Sequence, residues 1–349
     1  MTPRERWCAL FANEKPDRIP TDYWATDEVT ERLFREMECS TIEALYTKLN
    51  IDGVIRVEPP CLKPHHPSDP KSDIWGLRKE DIAYGTGTYA EFATHPLATV
   101  ETVDEVHDYQ WPTADDHDYD AYRNLIANAP SHRFIRTGEF EPFLIYCAMR
   151  GMEQAFLDFL EQPDILEAAL DHIFDFHYQL NQRTFEIGRG RIDVTYVAED
   201  LGGQSSLLMS VENIREHILP NQKKMADLAK SYGIRVFYHT DGAVREIIPD
   251  LIDVTGIELL NPIQWRCTGM EREALVRDFG KKIIFHGAMD NQYTLPFGST
   301  EEVKNEVLEN IRIFLDARWV CAPCHNLQPI TPMANILTLY ETIHEYGRL

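Results

Sequence analysis

The sequence predicts a single (β/α)8 barrel with one insertion, and three observations carry that expectation. Eight short apolar runs rich in β-branched residues are spread along 349 residues. From the third run onward they alternate with helical patterns, which is the signature of parallel βαβ units. No Gly-rich phosphate-binding turn follows the first run, which argues against the alternative, an open doubly wound sheet. The eight runs are 18–24, 51–57, 133–139, 191–197, 235–239, 256–261, 282–287 and 319–323. Residues 1–349 are read as one domain, with an insertion at about 58–119 between the second and third strands. Proline clusters and the hairpin-like Ala83-Tyr84-Gly85-Thr86-Gly87-Thr88-Tyr89 mark the insertion.

The helices announce themselves through caps and periodicity. Thr2-Pro3-Arg4-Glu5 is a capping box with proline in the first turn, so a helix is expected to about residue 12. Ile165, Leu166, Ala169, Ile173, Phe176 and Leu180 form one apolar stripe on a long helix from 164 to about 188. Ser210 opens another helix that runs to the Gly233 stop, Ser299-Thr300-Glu301-Glu302 caps a helix to about 316, and Thr331-Pro332 opens a terminal one. The acidic stretch 103–120 reads as a solvated loop and helix.

Composition narrows the function classes. With 34 Lys+Arg against 57 Asp+Glu the formal charge is −23, a field that repels phosphate backbones and anionic headgroups. Nucleic-acid and membrane-surface partners are therefore excluded, and a polyanionic substrate would need its own arginine cluster. The seven cysteines are odd in number and scattered, which fits a reducing cytoplasm rather than a disulfide framework. Neither a signal-peptide pattern nor an apolar stretch of about 18 residues is visible, so a cytoplasmic enzyme is expected.

Barrel enzymes carry their chemistry where strands end, at the C-terminal mouth. His239 and Asp241 follow the fifth strand in Tyr238-His239-Thr240-Asp241-Gly242, and the two-residue strand period projects both to one side. Imidazole and carboxylate so placed can chelate one divalent cation, with His325 after the eighth strand as third ligand and Glu199 or Cys324 next. The alternative, in which His239 and Asp241 bond each other in a metal-free pocket, stays open at this point. In Glu199-Asp200-Leu201-Gly202-Gly203-Gln204, Glu199 is read as the site group and Asp200 as turn chemistry. Cys321-Ala322-Pro323-Cys324 ends a strand, so a redox role is not expected; one cysteine should be buried and Cys324 should face the mouth.

The same residues carry a resemblance. Pro16-Asp17-Arg18-Ile19-Pro20, Ser72-Asp73-Ile74-Trp75-Gly76, Met149-Arg150-Gly151-Met152-Glu153, Ala198-Glu199-Asp200-Leu201-Gly202, His239-Thr240-Asp241-Gly242, Asn261-Pro262-Ile263-Gln264, His286-Gly287-Ala288-Met289-Asp290 and the stretch from His325 to Pro332 run in order along nearly the whole chain. In these segments the chain resembles the uroporphyrinogen decarboxylase superfamily, which also holds corrinoid-dependent methyltransferases. The resemblance implies the same barrel. It departs from the decarboxylases in two places. Their arginine-rich segment after the first strand is here Thr21-Asp22-Tyr23-Trp24-Ala25-Thr26-Asp27, and in place of their catalytic aspartate stands Arg56-Val57-Glu58-Pro59. Zinc-dependent methyltransferases of the superfamily use His-x-Cys on the fifth strand and a later cysteine. The matching positions here are His239, Asp241 and His325, a harder set, with Glu199 as a fourth oxygen.

What the resemblance implies first is a Zn2+-dependent methyltransferase acting on a small molecule, with a corrinoid (methylcobalamin) on a separate partner protein; homodimerisation is left open. Glu199, Glu58, His286 and Asp290 are its expected catalytic groups, and Trp24, Arg56, Arg150, Asn261, Gln264 and Asn326 its substrate contacts. A second reading is a decarboxylase in which Arg56, Arg136 or Arg150 pairs a carboxylate and Glu58 or His325 supplies the proton. A third is a non-catalytic tetrapyrrole- or corrinoid-binding barrel.

Overall fold

The computed structural model describes residues 1–84 and 87–349. It is an α/β barrel of the expected type. Seven parallel strands lie in one curled sheet: β1 (Val54–Arg56), β4 (Phe134–Arg136), β5 (Val194–Ala198), β6 (Arg235–His239), β7 (Leu259–Ile263), β8 (Ile284–Met289) and β9 (Trp319–Pro323), paired in that order. The expected first strand is where structure and expectation differ. Residues 18–24 do not form a regular strand, yet they occupy its place and close the barrel. Cys321 donates its N–H to Pro20 O (2.9 Å), Asp22 N–H returns to Cys321 O (3.0 Å), and Gly53 N–H reaches Thr21 O (3.0 Å). Pro20 has no N–H to contribute, and Val54 N–H bonds the Asp22 side chain (3.2 Å) instead of a backbone carbonyl. Side-chain bonding thus replaces part of the ladder.

Period two fills the barrel. Val194 and Tyr196 of β5, Phe237 of β6, Leu259 of β7, Ile284 of β8 and Val320 of β9 point inward and form one cluster with Phe134. The helix Pro3–Phe11 plugs the floor with Trp7, Leu10 and Phe11; its Thr2–Glu5 capping box is formed as expected. The alternate residues Val236, Tyr238, Leu260 and Phe285 face the outer helices. Two positions further along β6, β7 and β8, the inward residues become His239, Asn261 and His286. A polar layer therefore lies directly above an apolar one.

Most helices follow their caps: Pro163–Ile187, Thr300–Ile313 behind Ser299, and Met333–Tyr346. The helix expected from Ser210 is not regular. A π-turn over Ile214–Ile218 precedes Leu219–Ser231, where Pro220 supplies no N–H for an i−4 bond. Between β1 and β4 the chain runs through an antiparallel pair, β2 (Lys79–Tyr84) and β3 (Gly87–Phe92), and the capped helix Val103–Asp108. The turn of the expected hairpin, Gly85-Thr86, lies outside the described residues. Among the described residues no helix is long and apolar enough to cross a membrane.

Candidate functional site

The mouth of the barrel opens into a cavity of about 470 Å3. One wall is apolar, with Phe143, Leu144, Phe156 and Leu208. The floor is acidic and polar, with Glu199, Asp200, Asp241, Gln264 and His325. Among the described residues, no lysine or arginine lines it.

At the floor, single ligand atoms of Asp200, His239 and Asp241 lie within 4.8 Å of one another. His239 Nε2 is 3.6 Å from Asp200 Oδ1 and 3.8 Å from Asp241 Oδ1, and His325 Nε2 is 3.6 Å from Asp241 Oδ2. These gaps exceed hydrogen-bond range. They sit a few tenths of an ångström above the roughly 3.3 Å that separates tetrahedral ligands 2.0–2.1 Å from a zinc ion. The donor set fits a borderline-hard dication: one or two imidazoles and two carboxylates.

The clustered groups are held from behind. His239 is 6% exposed and its ring packs on Trp24 (5.5 Å, 5° between planes) and against Tyr196 (5.5 Å). Burial lowers its pKa against the opposing pull of Asp241 and Asp200, which favours the neutral, ligating imidazole. Burial likewise lowers His325. Gln264 fixes Asp241 by donating an Nε2–H to its Oδ1 (3.1 Å), while Gln264 Oε1 accepts the Gly242 N–H (2.7 Å). Burial raises Asp241 to about 6. Asp200 accepts the Asp241 N–H (3.4 Å), tying the loop after β5 to the loop after β6. That contact requires glycine. A Cβ on Gly242, whose φ is +86°, would stand 2.3 Å from Gly202 O, and one on Gly202 would stand 2.7 Å from Asp241 O.

The structure redistributes the expected roles of the two acids after β5. Asp200, read as turn chemistry, joins the cluster. Glu199 turns away from it, accepting N–H bonds from Phe143 (2.8 Å) and Leu144 (2.7 Å) at the start of the helix Pro142–Arg150. Burial pushes its pKa well up, against the opposing pull of those two N–H groups. Cys324 is a correction as well: it does not face the mouth. It is buried, donates its thiol to Ile263 O (3.1 Å), and burial raises it far from thiolate formation.

His286 and Asn261 are likewise away from the cavity. Both are buried inside the barrel, where Asn261 bridges His239 Nδ1 (2.5 Å) and His286 Nδ1 (2.6 Å), and His286 Nε2 meets Asp22 Oδ2 (3.0 Å). Asp290 caps the turn after β8 through the N–H groups of Gln292, Tyr293 and Thr294 and pairs with Arg266 (2.7 Å). Arg150 is buried against Asp158 (2.8 Å) and the carbonyls of Leu97 and Val100 (both 2.7 Å), so it clamps the insertion to the barrel, and it is not among the described residues that line the mouth cavity. Trp24, Arg56, Arg136 and Asn326 line a second hollow at the same end. There Arg56 is taken by Glu58 (3.3 Å) and Glu139 (2.6 Å), and Arg136 lies over Tyr196 and bonds Glu139 (3.2 Å). Glu58 caps Gly138 N–H (3.0 Å), and burial raises its pKa. Sequence reasoning gave Asp200 turn chemistry, whereas the structure brings it beside His239 and Asp241, and it passed over Asp22. The adjacent glycines Gly202 and Gly203 were the available signal for Asp200, since they let its loop approach β6.

Residues 80–346 match the model of the family described as uroporphyrinogen decarboxylase (URO-D). The chain belongs to the uroporphyrinogen decarboxylase family. No curated protein matches it. Among solved structures it is similar to a methyltransferase from Methanosarcina mazei, with TM-score 0.67 and 20% identity over 99% of both chains. A D-tagatose 3-epimerase-like protein (TM-score 0.33, 15% identity, 65% of this chain and 81% of that one) and the IOLI protein with a zinc atom (TM-score 0.32, 15% identity, 50% and 66%) overlap only in part. The likeness to the first shares the fold of the family across the whole chain.

Proposed function

We propose that this member of the family is a divalent-metal-dependent methyltransferase that exchanges a methyl group between a small molecule and a corrinoid carried by a separate protein. The observation that carries the reading is the convergence of Asp200, His239 and Asp241, with His325 beside Asp241, at the floor of the mouth cavity. Zn2+ is the metal this donor set suits, and it would supply Lewis acidity that makes an acceptor atom easier to deprotonate. The whole-chain fold likeness to a methanogen methyltransferase supports the choice of reaction. The committed state of Arg56 and Arg150 weighs against decarboxylation of a carboxylate held by those groups.

The residues divide the work. Gln264 holds Asp241 in its ligating orientation. Phe143, Leu144 and Phe156 make the wall above the floor apolar. Glu141, at the N-cap of the helix Pro142–Arg150, is raised to about 7 by burial, against a lowering hydrogen bond from Tyr196 and with the charge of Asp200 adding to the rise. With acids on its floor and no lysine or arginine among the described residues of its lining, the cavity favours a neutral or cationic substrate over an anion. Exposed Leu144, Met152 and Leu208 ring the opening and suit contact with a carrier protein.

Elemental analysis of purified protein, with methyl transfer to or from methylcobalamin, tests the reading. One zinc per chain is expected, lost in His239→Ala and Asp241→Ala. A metal-free protein whose dialysis against Zn2+ restores neither metal nor transfer would refute it.

A further inference from the structure

Four polar residues cross the inside of the barrel where apolar side chains would pack at lower cost. Asp22, His286, Asn261 and His239 are 2%, 0%, 1% and 6% exposed, and they form one unbroken chain with gaps of 3.0, 2.6 and 2.5 Å. Trp7 (6.0 Å) and Phe237 (5.0 Å) pack on His286, and each link of the chain is a direct side-chain contact. The strands place it: His239 and Asn261 are register partners on β6 and β7, His286 stands on β8, and Asp22 lies on the segment that closes the barrel.

The chain has a direction. Asp22 receives Tyr23 N–H (2.9 Å) and Val54 N–H (3.2 Å) on Oδ1, and Trp24 Nε1–H (3.2 Å) on Oδ2, beside His286. Its end of the chain is therefore an acceptor, and His286 Nε2 carries the hydrogen that meets it. In a neutral His286 the other nitrogen, Nδ1, accepts from Asn261 Nδ2. The Asn261 amide then presents Oδ1 to His239, whose Nδ1 must donate. Nε2 of His239 is left with a bare lone pair, and it is the atom that faces Asp200 and Asp241 from beyond hydrogen-bond distance.

We infer that Asp22, His286 and Asn261 are positioning residues that lock His239 in the Nδ1–H tautomer, so that its Nε2 is a preformed metal ligand. The inference rests on the metal reading for its purpose, but not for its test. An amide carbonyl behind a ligating histidine fixes ring orientation and tautomer, and loss of such a partner typically weakens metal affinity by about 10–100-fold. Asp22→Asn supplies an amide hydrogen where the carboxylate accepted. It allows the chain to reverse and places the hydrogen on His239 Nε2, inside the site.

Nitrogen-15 NMR of the metal-free protein, labelled at histidine and assigned with His239→Gln, reads the tautomer directly. The wild type should show Nδ1–H at His239, and Asp22→Asn should shift it toward Nε2–H. Titration with Zn2+ should show Asn261→Leu about 10–100-fold weaker, with Asn261→Asp, which still accepts from Nδ1–H, close to wild type. An Nε2–H tautomer in the wild type overturns the inference even if no variant folds. So does a folded Asn261→Leu that binds Zn2+ within about twofold of wild type. A wild type with the Nδ1–H tautomer that binds no metal would instead sink the metal reading and leave the tautomer lock standing.

Discussion

Replacing Gly242 with alanine probes the joint on which the site depends. Gly242 has a φ of +86°, and an added Cβ would lie 2.3 Å from Gly202 O, about 1.1 Å short of ordinary contact at 3.4 Å. Two costs follow. The left-handed backbone costs an L residue about 1–2 kcal/mol, and forcing a methyl group into packed backbone costs about 1–3 kcal/mol. A total loss of about 2–5 kcal/mol is expected. The geometric consequence is more specific. Relief requires the loops after β5 and β6 to part by about an ångström, and those loops carry Asp200 and Asp241. Gaps that now sit near the spacing of zinc ligands would then open beyond it. Gly190→Ala is the control: its φ is +77°, but a Cβ there meets nothing within 4 Å. It should lose only the backbone part, about 1–2 kcal/mol, and keep its zinc affinity. Urea unfolding and zinc titration of both variants measure the two costs separately. If Gly242→Ala binds zinc as tightly as Gly190→Ala does, the loop contact does not shape the site and the reasoning fails.

Three further outcomes are expected. Gln264→Leu should weaken zinc binding about 10–100-fold, because Asp241 loses the amide that orients it, and should cost about 1–3 kcal/mol in stability, because the buried Gly242 N–H loses its acceptor; unchanged zinc affinity would show that Asp241 needs no such support. Arg150→Met strands Asp158 and the Leu97 and Val100 carbonyls in the interior and should cost about 3–5 kcal/mol in denaturant unfolding, with zinc stoichiometry preserved in the folded fraction; a loss below about 1 kcal/mol would contradict the clamp. The pH dependence of melting has a definite sign. Folding raises Asp241 to about 6 and Glu141 to about 7, above unfolded carboxylate values near 4. Between about pH 7 and 4 the folded state therefore binds protons that the unfolded state lacks, and these two groups make the metal-free protein more stable as pH falls. Saturating zinc should reverse the slope, since protons then compete with the metal, and Asp241→Asn should flatten the metal-free slope; equal slopes in Asp241→Asn and wild type would refute the assignment.

Much of this molecule is legible in its sequence. The barrel followed from strand runs of period two alternating with capped helices, and both features depend on residues a few positions apart. The placement of His239 and Asp241 together at the mouth followed from the same short-range geometry, because a strand fixes the direction of every second side chain. Past the strand ends that rule lapses. Whether Glu199 or Asp200 reached the cluster was decided by the backbone N–H groups of Phe143 and Leu144, which captured Glu199 from a distant helix start. Cys324 was lost to the mouth through the carbonyl of Ile263, and Arg150 through Asp158 and the insertion. The closing segment and Asp22 were hidden for a related reason: side-chain bonds there substitute for a strand ladder. The sequence alone determined the periodicities, the caps and the chemical inventory of the mouth. Tertiary structure alone decided which buried donors each acid and imidazole would meet, because those partners come from strands and loops brought together only when the barrel closes.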